Sequence, residues 1–227
     1  MLVAVHSFDD DAESVLSEMG LSGEVMYEVC RRGLAYYHTA TPFHPSNAAG
    51  SFMHHELVRA TRELLVPSGW DYVEQSLSLT FNRELSIAIA VSSGTSQVGD
   101  RDRHPSFKYP KGPTTQAAVV SNAIQLGLFD NVSDFQELSS SPIPKSINLD
   151  AFQTWWLLHH VDHRKEEMRA ELSLPVVIRA DGDINEWRIR IILEPISFDS
   201  AAHGKGAQSF DESRNGPDFN VEVRKKA

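Results

Sequence analysis

Five consecutive residues, His159-His160-Val161-Asp162-His163, bring three imidazoles and a carboxylate together. These are ligand types for zinc or another divalent ion. Local structure decides whether they can act as a set. On a strand, His159 points to one face while His160 and Asp162 point to the other, so they cannot converge on one ion. On a helix, His159 and His163 fall one turn apart and could share a metal. No glutamate stands where the HExxH motif places its general base. One candidate chemistry follows. In it His159, Asp162, His163 and Glu171 hold a divalent metal for phosphodiester hydrolysis, and Arg188 or Arg190 grips a phosphate.

A second set lies just downstream. Arg169, Glu171, Arg188 and Arg190, together with His160, are expected on one outward sheet face. Paired arginines suit phosphates and carboxylates, so this face is a candidate binding surface. A mixed-charge face is also what an ordinary solvated sheet presents. A third set, Lys111-Gly112-Pro113-Thr114-Thr115, opens a helix. The free N–H groups there, with Lys111 beside them, would suit an anion, and Thr114 would serve as the cap. The order of residues does not match a P-loop. His54-His55-Glu56 lies on another predicted helix and invites comparison with restriction-type nucleases. Asp71 and Glu74 follow it, but the Glu-x-Lys strand of those enzymes is missing. The three residues are therefore read as an exposed helix flank. Cys30 sits on an apolar helical stripe and reads as core rather than nucleophile.

The elements that must position these residues follow from periodicity. Helices are expected over Ser7 to Met19 (capped by Ser7), about Ser22 to His38, about Ser51 to Val66, and Thr114 to Phe129. Alternation over Leu77–Phe81 and Leu85–Val91 predicts a hairpin. A loop of three residues, Asn82-Arg83-Glu84, would set Phe81 opposite Leu85 and put both apolar sets on one face. Asp181-Gly182 predicts a type I′ turn that pairs Ile178 with Asn185, Val176 with Trp187, Leu174 with Ile189 and Leu172 with Ile191. The segment from Gln153 adds a third strand if Asp162-His163-Arg164-Lys165 is a turn, with His159 facing Met168. The competing helix over 152–163 agrees less well with that register. Residues 92–113 are long, polar and broken by Gly and Pro, and are expected to be mobile or ordered by a partner. Phe219, Val221 and Val223 suggest a last edge strand.

The fold class expected is α+β, as a single domain over 1–227. Its helical part is about 1–69, packed on an antiparallel sheet made of a hairpin (about 75–92) and a three-strand meander (about 153–196). Long loops are expected at about 92–113 and 200–217. The 227 residues suffice for a core without staples, and one cysteine excludes an intrachain disulfide and a thiolate cage. A net charge of −10 disfavours binding nucleic acid over the whole surface, leaving only a local patch or a partner for that role. No apolar run reaches the ~20 residues of a membrane span, and the acidic start, Met1 to Asp11, does not read as a secretory signal. A cytoplasmic protein with no membrane role is expected.

The β-rich region resembles uncharacterised proteins near bacterial restriction or defence genes. The expected function is a non-catalytic interaction protein without cofactor, a subunit or regulator in a larger prokaryotic assembly with a defence role. Its partner is expected to be a protein or multi-subunit complex, docked on Arg169, Glu171, Arg188 and Arg190, with Lys111 as a further anion contact. The metal-dependent hydrolase is the alternative.

Overall fold

Two hairpins turn on the same local chemistry. Asn82 Oδ1 accepts from the backbone N–H groups of Glu84 and Leu85 at 3.0 and 3.1 Å. Asp162 Oδ1 does the same for Arg164 and Lys165 at 3.0 and 3.3 Å. Each loop ends on a non-glycine residue in the left-handed region, Ser86 and Glu166, both at φ 53°. The side-chain acceptor stabilises a turn that the backbone alone would not favour. Each loop therefore has four residues between the flanking pairs, Asn82 with Ile87 and Asp162 with Glu167.

The computed structural model describes residues 3–127 and 151–202. In chain order these form β1 (Ala4–Ser7), α1 (Ala12–Glu18), α2 (Gly23–Tyr37), α3 (Ala48–Leu65), β2 (Asp71–Glu74), β3 (Ser78–Asn82) and β4 (Ile87–Ser93). They continue with α4 (Pro113–Gln125), β5 (Gln153–Asp162), β6 (Glu167–Ile178), β7 (Ile184–Ile192), β8 (Ile196–Ser197) and α5 (Phe198–Ala202). The sheet runs β1-β7-β6-β5-β4-β3-β2, with β8 also on β6. The class is α+β, but the sheet is mixed rather than antiparallel. β4 and β5 are parallel, joined by a crossover carrying α4, and β1 lies parallel to β7. The parallel pair brings the carboxyl ends of β4 and β5 to the same edge. The expected last strand over 219–223 and most of the 200–217 loop lie outside the described residues.

Both sheet faces are covered. On one, α1, α2 and α3 pack over Ile87, Ile89, Trp155, Leu157, Leu172, Leu174 and Ile191. On the other, α4 and the segment after β4 cover Leu79, Phe81, Ala88, Ala90, Trp156, Leu158 and Trp187. This two-sided burial explains why the first hairpin departs from the expected register. Phe81 pairs with Ala88, not Leu85, so Leu79 and Phe81 face one core while Ile87 and Ile89 face the other. Leu85 is left in the exposed loop. Alternation identifies one buried face, but with Ala88 and Ala90 as the alternates the second face is apolar too.

The β6–β7 turn also differs from expectation. It has three residues between Arg179 and Asp183, which are joined by a bond from Arg179 N–H to Asp183 C=O at 2.8 Å. Only Gly182 takes a positive φ, +88°, as a three-residue hairpin loop requires. Bulges around Pro175 and Arg188 then shift the strands, so that Leu174 meets Ile189 and Leu172 meets Ile191 as expected. Trp187, however, turns to the opposite core, where its Nε1 donates to Pro105 C=O at 2.8 Å. Trp187 therefore does not share the face of Leu172, Leu174 and Ile191; it pairs with Pro175 rather than Val176, and Ile178 pairs with Ile184 rather than Asn185. Pro175 has no N–H to give the ladder. Asn122, fully buried on α4, compensates there: its Nδ2 donates to the carbonyls of Thr154 and Pro175, and its Oδ1 accepts from Thr154 N–H.

Further differences lie nearer the N-terminus. Ala4–Ser7 is a strand on the sheet edge, so Ser7 caps nothing; α1 starts after Asp11. Glu56 is not an exposed flank. It is buried and binds Arg32 of α2 at 2.8 Å and Arg59 at 2.8 Å. It reaches Arg32 because α2 and α3 approach closely, with Gly33 against Leu57: a Cβ there would lie 2.5 Å from Leu57 Cδ2.

The segment 94–112 is bound to the sheet rather than loose. Gly94 bridges to Phe107, and Val98 and Phe107 are buried. Arg190 and Glu171 make the decisive contact. Arg190 donates to Glu171 through Nε at 3.0 Å and through the guanidinium at 2.6 Å, and both residues are almost wholly buried. Arg190 also donates to the carbonyls of Arg103 and Asp100, while Glu171 accepts from Gly99 N–H and Ser173 Oγ. Removing one partner would leave a buried charge, at a cost of about 3–5 kcal/mol. Arg190→Met is expected to lose that much stability in urea denaturation and to become cleavable by trypsin at Arg101 and Arg103. Glu171→Gln with Arg190→Met is expected to recover part of the loss. An Arg190→Met variant as stable and trypsin-resistant as the parent would show that the pair does not hold the segment.

Candidate functional site

Ser93 and His159 are register partners at the carboxyl ends of the parallel pair. Both belong to the alternation that includes Ile89 and Leu157, so both side chains rise toward the helical layer. The first turns of α3 lie over them, contributing Ala49, Gly50 and Met53. Lys108 and Tyr109 come from the bound segment, held beside β4 by a Lys108 N–H bond to Ser93 C=O at 3.0 Å. Tyr37, at the end of α2, hydrogen-bonds His163 Nε2 at 3.0 Å. These elements enclose a cleft of about 760 Å³. A crevice outside the carboxyl ends of parallel strands is a general place for ligands.

The cleft differs sharply in charge from the chain as a whole. His54, His55, His159, His160 and His163 line it, half of the chain's ten histidines, together with Lys108. No Asp or Glu is among the described residues that line it. α3 adds its positive end. Asn47 stands at the N-cap without making a side-chain cap bond; Ala48 N–H donates to Pro45 C=O at 2.9 Å, which leaves the first-turn N–H groups of Ala49 and Gly50 to other acceptors. A Cβ built on Gly50 would meet nothing within 4 Å, so the backbone is open there.

His159 is the most constrained of the five. It is 3% exposed, and neither ring nitrogen has a hydrogen-bond partner among the described residues. Burial, reinforced by His54, His160, Lys108 and Lys111, pushes its pKa down to about 3. Burial also lowers His54, with His55 and Lys111 adding to the effect. His160 is lowered by burial and Arg169, partly opposed by a backbone bond with Gly94. Lys111 is lowered by burial, and its Nζ lies 4.8 Å from the Phe107 ring centre. His54, His159 and His160 are thus held toward their neutral forms, first by burial and then by neighbouring cationic groups, with Glu74 and Asp162 opposing the effect at His54 and His160.

The residues expected to form the site are placed as follows. His159 and Glu171 lie on opposite faces of the sheet. Asp162 pairs with Arg169 at 3.2 Å, and His163 is engaged with Tyr37. His159, Asp162, His163 and Glu171 therefore do not form one group, and no three His, Cys, Asp or Glu side chains among the described residues are arranged to hold a metal ion. The face carrying Arg169, Glu171, Arg188 and Arg190 is not an open outer face. Segment 94–112 covers Glu171 and Arg190, Arg169 donates to Ser96 C=O at 3.1 Å, and Arg188 is half-buried. Lys111 is half-buried beside the Asp181-Gly182 turn, to which its N–H donates through Gly182 C=O at 3.1 Å. Thr114 is not the cap of α4; that position is Gly112, with Pro113 opening the helix. Cys30 is core, and burial pushes its thiol up to about 12. Sequence reasoning missed Ser93, Lys108 and Tyr109. The concentration of imidazoles was visible, but its convergence with His54 and His55 depends on the parallel pairing.

Comparisons with models of known families, with curated proteins and with solved structures gave no match.

A buried imidazole without partners costs stability. His159→Leu, of similar volume, is therefore expected to raise stability at pH 7 by about 1–2 kcal/mol. The pH dependence has a definite sign. The unfolded chain takes up a proton at His159 near the ordinary pKa of 6.5, while the folded chain does not until about pH 3. Stability is full above 6.5 and falls by up to about 1.4 kcal/mol per pH unit below it. Urea midpoints between pH 7 and 4 should decline less steeply in His159→Leu. A variant that is less stable than the parent, with the same acid slope, would show that His159 is satisfied in the free protein.

Proposed function

We propose that this is a non-catalytic interaction protein, cytoplasmic and prokaryotic, that recognises an anionic group carried by a macromolecular partner. The group sits in the cleft at the ends of β4 and β5. The observation that carries this reading is the lining of the cleft: Lys108, a helix N-terminus and five imidazoles that can donate N–H bonds, with no Asp or Glu among the described lining residues, in a chain of net charge −10. Such a contrast confines attraction to one place and repels anions elsewhere, which favours specificity over general stickiness. The binding surface moves accordingly from the covered arginine face to the cleft. A protein partner within a larger assembly fits this reading better than a nucleic-acid duplex, because Lys108 is the one Lys or Arg among the described residues that line the cleft. The neighbouring groove contains Arg59 and Arg62, but both are paired, with Glu56 and Glu74.

Fluorescence anisotropy with labelled hexaglutamate and hexalysine peptides tests the reading. Hexaglutamate is expected to bind, to weaken with added salt, and to lose about tenfold in affinity, or about 1.4 kcal/mol, in Lys108→Glu. Absence of hexaglutamate binding, or binding unaffected by Lys108→Glu, would contradict it.

A further inference from the structure

We propose that the group the cleft receives is a single phosphate monoester, seated between the first turn of α3 and the His159 ring. This rests on the anion-binding reading above and makes it specific. Donors approach from three separate elements: α3 from above, Ser93 and His159 from the strand ends, and Lys108 from the bound segment. A carboxylate offers two oxygens in one plane, whereas a phosphate monoester offers three around a tetrahedral centre and can accept from all three directions. The uncapped N-terminus of α3 is the type of backbone end that accommodates phosphates.

His159 supplies the independent sign that a ligand belongs there. Its two ring nitrogens are buried without partners, close enough to His54, His160, Lys108 and Lys111 to be influenced by each. A buried polar ring with no bond is explained when an acceptor arrives. A dianion would also be matched by Lys108 and by imidazole N–H donors, and no Asp or Glu is among the described residues that line the cleft.

Lys108 is the one Lys or Arg among the described residues that line the cleft, so one phosphoryl group is favoured over a run of them. A nucleic-acid strand needs a basic track to follow, and the adjoining arginines are already neutralised by glutamates. The cleft, at about 760 Å³, exceeds what phosphate alone would fill. The phosphoryl group is therefore carried on a larger body, with Tyr37 and Tyr109 beside it.

Isothermal titration calorimetry with inorganic phosphate, O-phosphoserine, a serine-phosphorylated decapeptide, acetate and a ten-residue thymidine oligonucleotide tests the proposal. Phosphate and O-phosphoserine are expected to bind at least tenfold more tightly than acetate. Both should weaken at least tenfold in His159→Leu and in Lys108→Ala, with circular-dichroism melts confirming that the variants are folded. A phosphopeptide that binds more tightly than O-phosphoserine identifies a protein source; equal binding identifies a small ester. Either result supports the phosphate monoester. Tighter binding of the oligonucleotide than of O-phosphoserine overturns it. If hexaglutamate binds the cleft but phosphate does not, the phosphate assignment falls while the anion reading stands; if neither binds, both fall.

Discussion

Glu171 and Arg190 are buried side by side on the sheet face opposite α2 and α3, and each is tied to backbone of the segment after β4. Two charges removed from water are costly unless every remaining donor and acceptor is used. Here Ser173, Gly99, Asp100 and Arg103 use them. The pair therefore acts as a clamp as well as a salt bridge: satisfying it requires residues 99–103 to lie on the sheet. The segment then continues through Pro105 on Trp187 and Phe107 in the second core, and delivers Lys108 and Tyr109 to the end of β4. The clamp thus holds the early part of the segment, while the Gly94–Phe107 bridge and the Lys108 bond to Ser93 fix its end at the cleft.

The near wall depends on a different constraint. α3 is fixed to α2 by the close approach of Gly33 to Leu57 and by the Arg32–Glu56 and Arg32–Glu63 pairs. That packing sets the start of α3 over Ser93 and His159. The parallel β4–β5 pairing sets those two residues side by side. The cleft is thus the meeting point of two independently anchored parts, which suits a site that must be preformed to bind a small charged group. Its cost falls on His159, a buried polar ring with no hydrogen-bond partner among the described residues. Retaining such a residue fits a binding role better than a packing role.

Helices α2 and α3, the strand character of 153–162, and the Leu172–Ile191 and Leu174–Ile189 pairs could all be read from periodicity. So could the concentration of histidine around 159–163. The rest required long-range information. The face of Phe81 relative to Ile87 depends on whether one or both sheet faces are buried, and small residues such as Ala88 and Ala90 fit either case. β1 is a strand only because β7 offers an edge. Polarity made 92–113 look mobile, because sequence cannot show that Arg190 and Glu171 turn inward to hold it. Asn122 gave no local signal at all, since its partners, Thr154 and Pro175, become neighbours only in the folded sheet.

The most direct measurement is a crystal structure of the protein soaked with tungstate, a tetrahedral oxyanion whose anomalous scattering marks its position. The prediction is one strong site in the cleft, within hydrogen-bond distance of a His159 ring nitrogen and the first-turn N–H groups of α3, with Lys108 alongside. Tungstate found instead at Arg59 and Arg62, or absent from the cleft while occupying other surfaces, would contradict the assignment of this cleft as the anion site.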